Sequence, residues 1–306
     1  VTLGGAIASD VHGKNHHING TFGQHVTSLS IVLGTGKVVT ASPQHHADLF
    51  HATCGGMGLT GVIISATIQL LPIRSSFINK KTIKADCIEA ACEAFNSNGN
   101  AAYSVAWIDC LSKGKSLGRS VLMLGAHAEQ GQLEIDIKQT VSVPFATPSA
   151  LLNSLTMKAF NTAYWHKSKH NQNQTISLMP FFYPLDAVGK WNKLYGKKGF
   201  LQFQCVLPKT DGVANMRKLL TEISKSGEAS FLAVLKQFGT ANKNLLSFPI
   251  EGYTLALDFK LSASTLQIVS RLEEMVVDMG GRLYLTKDAV MHEKTFKTTY
   301  PNWEKF

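Results

Sequence analysis

The chain has 306 residues, 44% of them hydrophobic, and a net charge of +9, with a mean hydropathy of +0.02. Those values exclude a disordered segment and allow one large domain or two, each with a sizeable core. No apolar run reaches the ~20 residues of a membrane span, and no basic run interleaved with aromatics points to nucleic acid.

Charge is uneven. Before residue 72, Lys14 and Lys37 balance Asp10 and Asp48, so the whole positive excess lies beyond it. A basic second part suits an anionic ligand, a phosphorylated substrate or an anionic membrane surface; a solvated surface is an equal reading. Cys54, Cys87, Cys92, Cys110 and Cys205 are scattered without a CxxC pair, which argues against a disulfide scaffold or zinc ribbon. The chain opens at Val1 without a charged n-region and apolar h-region. It is therefore read as carrying no signal peptide, as cytoplasmic or membrane-associated, and as an internal piece of a longer protein.

Residues 26–33 and 37–40 are β-branched-rich around Gly34-Thr35-Gly36 and predict a hairpin. Ser42-Pro43 reads as an N-cap with proline at N1, so a helix is expected to about Thr53. CGGMGLTG (54–61) precedes an apolar strand over 62–71, closed by Pro72. Beyond it, strands are expected over 75–85, 102–109 and 119–124, and a helix over 87–97. Residues 128–180 read as irregular, with a helical stretch near 149–164 and a polar loop at 170–174. The last third is regular. Strands over 200–207, 230–238, 252–261 and 282–286 alternate with helices over 211–225 and 262–279, giving the order β-α-β-β-α-β. That order predicts a ferredoxin-like split βαβ sheet.

Residues 10–26 hold His12, His16, His17 and His25 with the single lysine Lys14. His12 and His16 are four apart, a zinc spacing on a helix, but Gly13, Gly20 and Gly23 make a helix improbable and HGKNH lacks the zincin glutamate. No metal is expected. A glycine-rich loop that grips a ligand with its backbone fits better. Starting at Gly56, the 54–61 segment matches G-x-G-x-x-G, yet its helix precedes and its strand follows, the reverse of a dinucleotide fingerprint. A helix C-cap and a close backbone approach to a ligand weigh evenly there. G-x-S-x-G and the P-loop are both missing. Lys236, Tyr284, Lys287, Gln202 and Gln204 lie on or at the ends of strands. A strand lysine is usually solvated; on one sheet face these residues would form a cationic pocket wall.

VTLGGAIASDVHGKNHH, GTFGQHV and ATCGGMGLTGVIISATIQL resemble the second half of the FAD-binding domain of the vanillyl-alcohol oxidase/PCMH flavoprotein superfamily. SVAWID, LKQFG, LSFPIEGYTLALDF and GGRLYLTKDAVMHEKTF resemble its branch of polyprenylphosphoryl-ribose oxidases. The resemblance implies an α+β chain: a partial PCMH-type domain over 1–72 and a substrate domain over 73–306, its ferredoxin-like core at about 199–287. It implies non-covalent FAD on Gly4, Gly5, Ala6, Ser9, His12, Gly13, Gly58, Gly61, Ile63 and Tyr284, with Asp10–Gly13 in the cradle. Lys14, Trp107, Gln202, Gln204, Lys236, Phe238, Thr254 and Lys287 would line the substrate site, and Lys287 and Tyr284 would act in catalysis. Thr254 and Ala256 stand where that branch carries Asn and Cys, which bears on the substrate more than on the reaction. The implied activity is oxidation of a CH–OH group in a polyprenyl-phosphate sugar. A separate NAD(P)H-dependent reductase would complete an epimerisation, with peripheral membrane association and no nucleic acid. The rivals are an oxygen-using aldonolactone oxidase of the same superfamily and a non-catalytic piece with half a flavin site.

Overall fold

A computed structural model describes residues 2–135, 141–142, 153–184, 186, 188–190, 193, 195–196, 198–228 and 230–306. It is a mixed α/β structure in which antiparallel ladders dominate. The amino-terminal part opens with two short helices, α1 (Leu3–Ala8) and α2 (His16–Asn19). Strands β1 (Val26–Val32) and β2 (Val38–Ala41) form the expected hairpin. After α3 (Ala47–Thr53), β3 (Val62–Ile68) pairs with the other edge of β1. Ile7, Leu29, Ile31 and Phe50 are fully or almost fully buried between these elements. Each such side chain contributes about 1.5–3 kcal/mol by leaving water.

Two local expectations fail here. Helix α3 starts at Ala47, because Ser42 Oγ accepts the N–H groups of Gln44 and His45 and closes a turn instead of a helix. Strand β3 stops at Ile68 rather than residue 71.

The remainder builds one eight-stranded sheet. Its strands and helices run β4 (Phe77–Ala85), α4 (Ile88–Ser97), β5 (Tyr103–Ile108), β6 (Ser120–His127), β7 (Val141–Ser142), α5 (Ser154–Lys167) and β8 (Gln172–Ser177). Then follow α6 (Leu178–Phe182), β9 (Val188–Gly189), β10 (Phe200–Pro208), α7 (Gly212–Ser226), β11 (Ser230–Phe238), β12 (Gly252–Lys260), α8 (Ala263–Asp278), β13 (Arg282–Leu283) and α9 (Glu293–Thr299). Strands β7 and β9 form a small separate parallel pair. The sheet order is β13-β10-β12-β11-β5-β6-β4-β8.

The elements of the last third appear in the expected sequence, with α7 ended by Gly227 in the left-handed region at φ 73°. The stretch read as irregular holds more order than its sequence shows. Strands β4, β5, β6 and β8 take the lateral order fourth-first-third-second, the same order as β10, β11, β12 and β13. The polar loop expected at 170–174 runs into β8, an edge strand that meets only β4. One ladder suffices to hold it, and Thr175 adds a side-chain bond to Asn79 at 2.8 Å. The final strand is two residues long; the chain then bends into a 3-10 turn at Leu285–Lys287. The helix expected near 149–164 starts at Ser154, and residues 149–152 lie outside those described.

Helices α4, α7 and α8 cover one face of the sheet over a core of Phe95, Leu122, Leu219, Leu255 and Leu272. On the other face, Trp165 of α5 packs against Trp107 and Val121. Phe181 of α6 packs there too, against Ile78 and Tyr103. The rest of that face meets the amino-terminal part.

Candidate active site

Register decides which side chains share this second face. Gln204 pairs with Ala256, Ala256 with Val234, Val234 with Trp107, Trp107 with Val121 and Val121 with Lys84. Cross-strand partners point the same way, so these form one row across six strands. The adjacent row carries Val206, Thr254 and Lys236. Gln202 lies opposite Asp258 on the same face. The expected wall residues Gln202, Gln204, Lys236, Thr254, Phe238 and Trp107 are thus brought to one face. They are spread out: three strand spacings, about 14 Å, separate Gln204 from Trp107.

The histidine loop lies over the Gln204 end of this face. Gln204 Nε2 donates to Thr254 Oγ1 at 3.1 Å, whose own proton goes to the Cys205 carbonyl. The second Gln204 amide proton then points to His12 Nε2 at 2.9 Å. His12 therefore accepts at Nε2 and carries its proton on Nδ1, which is buried with no partner. Burial, followed by the charge of Lys236, holds His12 well below the usual histidine pKa. Its ring sits 4.7 Å from Phe238, 5.5 Å from Phe248 and 5.1 Å from Tyr284. His16 accepts the Gly239 N–H at Nδ1, 3.2 Å away, and burial lowers its pKa to about 4. His17 reaches the Ala101 carbonyl at 2.8 Å and His25 the Asn19 carbonyl at 3.0 Å. The four imidazoles take four different partners. Among the described residues no three His, Cys, Asp or Glu side chains converge as a metal site.

Asp10, the first residue of this loop, is fully buried and sits at φ 42°. Its Oδ1 accepts the Gly23 N–H at 2.8 Å. Its Oδ2 accepts Asn242 at 2.7 Å, Asn244 at 2.9 Å and Ser247 Oγ at 2.6 Å. Four donors stabilise the carboxylate without a cation. Its side chain therefore faces protein, not a ligand. Asp10 ties the histidine loop to residues 242–247 and thereby places Phe248, which stacks on Tyr284 at 4.6 Å. Asn242, Asn244, Ser247 and Phe248 were not singled out from sequence; only the LSFPI segment carried a signal.

Three ammonium groups gather here, with Lys14 and Lys287 near enough to Lys236 to act on it by charge. Lys14 Nζ donates to the Phe181 carbonyl and sits 4.6 Å from the Phe181 ring and 5.6 Å from Phe182. Lys287 Nζ donates to Gln202 Oε1 at 2.5 Å, and Gln202 Nε2 donates to Asp258 Oδ1 at 2.8 Å. Burial lowers the Lys14 pKa to about 8. Burial also lowers Lys236 to about 8, helped by the charges of Lys14 and Lys287. Burial lowers Lys287 as well, while Asp258 partly restores it. None of the three lysines forms an ion pair with a described residue. Tyr284 OH donates to the Ser9 carbonyl at 3.3 Å, and burial raises its pKa.

The glycine-rich positions divide. Gly4, Gly5 and Ala6 lie in the first turns of α1, where Thr2 Oγ1 accepts the Gly5 N–H at 3.1 Å. These three residues therefore sit at a helix start. Ser9 caps α1, and Gly13 is exposed. Gly55 and Met57 donate to the Ile7 and Ala8 carbonyls, so the 54–61 segment caps α3 and is stitched to α1. Gly58, at φ 79°, has open space where a Cβ would stand. Gly61, at φ 149°, lies against the Val32 carbonyl, and Ile63 packs in the amino-terminal core.

No protein-family profile matches the chain. Decaprenylphosphoryl-β-D-ribose oxidase of Mycolicibacterium smegmatis is 38% identical over 320 aligned positions, which cover all of this chain and 69% of that protein. An uncharacterized protein of Streptomyces coelicolor is 27% identical over the whole chain and 87% of its own length. D-arabinono-1,4-lactone oxidase of Yarrowia lipolytica is 31% identical over 71 residues, 23% of this chain. The class shared by the two named relatives is that of oxidoreductases. The chain belongs to the decaprenylphosphoryl-β-D-ribose oxidase family.

Proposed function

We propose that the chain is a flavin-dependent oxidase that oxidises the 2′-hydroxyl of a polyprenylphosphoryl-ribose as the first half of an epimerisation. The observation that carries this reading is the whole-chain identity to a decaprenylphosphoryl-β-D-ribose oxidase. The cationic cleft supports it, since Lys14, Lys236 and Lys287 suit a phosphate-bearing substrate.

The residues fit non-covalent FAD. The His12 Nδ1 proton is buried without an acceptor beside Tyr284, as a donor awaiting an electron-rich ring edge would be. The open backbone at Gly4 and Gly58 suits a close approach, with Gly5, Ala6, Ser9 and Gly13 alongside. Gly61 and Ile63 act here through the strands they pack. When bound, FAD supplies the hydride acceptor. Lys287 orients the sugar hydroxyl, and burial lowers the pKa of its ammonium, which favours proton exchange with that hydroxyl. Gln202 and Asp258 hold that ammonium in place. Tyr284 and Phe248 exclude water from one side. On this reading residues 1–72 are part of a PCMH-type FAD domain, and 73–306 a substrate domain with a ferredoxin-like core. A separate NAD(P)H-dependent reductase completes the epimerisation.

The test is anaerobic bleaching of the flavin absorbance of the purified protein by a polyprenylphosphoryl-ribose. A colourless protein after desalting would favour the half-site reading. The partial match to a lactone oxidase favours a second reading, and fast oxygen turnover with a small sugar lactone would establish it over the first.

A further inference from the structure

Helix α5 turns Met157, Asn161 and Trp165 inward at successive turns. Asn161 donates to Asp109 at 2.7 Å, and Arg119 Nε does so at 2.9 Å. The Lys84 ammonium and the Arg119 guanidinium lie 4.3 and 5.6 Å from the Trp165 ring. This anchor fixes which side of the helix faces out.

The outward row is Leu155, Ala159 and Ala163, four residues apart and all exposed, Leu155 by 75%. Phe160, 42% exposed, borders that row. Lys158 lies on one side of it, and Lys167, four residues beyond Ala163, at its carboxy-terminal end. Lys158, Lys167 and Lys169 are the charged residues of 153–184, a stretch without Asp or Glu. Apolar side chains held in water between cations complement an anionic lipid surface.

The same helix leads inward. The Phe160 ring lies 6.2 Å from Tyr164, roughly parallel at 25°, and Tyr164 lies 4.7 Å from Trp107. Trp107 belongs to the sheet row that ends at Gln204.

We propose that the outward face of α5 rests on an anionic lipid surface, and that Phe160, Tyr164 and Trp107 form the apolar path from that surface to the cleft. The path rests on the reading of the substrate as a polyprenyl-phosphate sugar; the lipid contact does not.

The test is co-sedimentation of the full chain with phosphatidylglycerol-containing vesicles and with phosphatidylcholine vesicles. Pelleting is expected with the anionic vesicles only. It should fall at least about tenfold in Leu155→Glu/Ala159→Glu and in Lys158→Glu/Lys167→Glu, with unchanged melting temperatures. No pelleting, equal pelleting with both lipids, or full pelleting of both variants overturns the proposal. Flavin bleaching by substrate without vesicle binding would sink the lipid surface alone. Vesicle binding as expected, with no bleaching by a polyprenylphosphoryl-ribose, would leave the surface standing and sink the oxidase reading.

Discussion

Asp10 and Ser247 are joined by a 2.6 Å hydrogen bond across 237 positions of the chain. With Asn242, Asn244 and Gly23 on the same carboxylate, this bond fixes the histidine loop against the 242–247 segment. Asp10→Ala leaves these donors buried and unpaired, and is expected to cost about 3 kcal/mol or more in urea unfolding. Asp10→Asn should also destabilise, because its NH2 group must face a donor on either side.

Burial and, after it, the charge of Lys236 depress the His12 pKa. Lys236→Met is therefore expected to raise the His12 pKa, read from its imidazole NMR titration. On the proposed function it also lowers kcat/KM on the phosphorylated substrate by about a hundredfold, roughly 2.7 kcal/mol. An unmoved His12 titration would contradict the placement of the ammonium.

Stability should depend on pH at both ends. Lys14 and Lys236 have folded pKa values of about 8, below the unfolded lysine value. Between pH 8 and about 10.4 the unfolded chain binds more protons, so their contribution to stability increases as pH rises through that window. Anion affinity runs the other way, falling above about pH 8 as the ammonium groups discharge. His16, at about 4, stays neutral in the fold. Its contribution is present above about pH 6.5 and lost as pH falls to 4, by about 3 kcal/mol at full extent. Urea midpoints across pH for the parent and His16→Gln test this, the variant giving the shallower acid limb.

Gly61→Ala is expected to destabilise the protein by about 2 kcal/mol or more with no cofactor present. Its φ of 149° strains an alanine, and the new Cβ would meet the Val32 carbonyl. An unchanged melting temperature in the cofactor-free protein would contradict that packing role.

Tyr284→Phe removes the hydroxyl that donates to the Ser9 carbonyl at 3.3 Å. Stability should change by under about 1 kcal/mol. On the proposed function kcat should fall while the melting temperature hardly moves, a split that packing alone would not give.

The sequence carried the parts of the fold that depend on neighbours in the chain. Alternation placed β10, β11 and β12, and Gly227 marked the end of α7. It also carried the parity argument: Gln202, Gln204 and Lys236 share a face because the ladder register permits it. Long-range pairing was not legible. Gln172–Ser177 is polar at most positions and becomes a strand because β4 offers a free edge. The serine at position 42 had two competing uses, and the turn took it. The role of the Asp10 side chain was not legible either, since nothing local announces donors more than 230 positions away.

Strands β4, β5, β6 and β8 repeat the lateral order of the later four, yet α5 crosses on the face opposite α4. Had both crossovers shared a side, Trp107 and Val121 would lose the cover of Trp165, and α6 alone would pack on the second face beyond β5. One helix changing sides sets α5 over the Trp107 end of the same sheet row whose Gln204 end lies under the histidine loop.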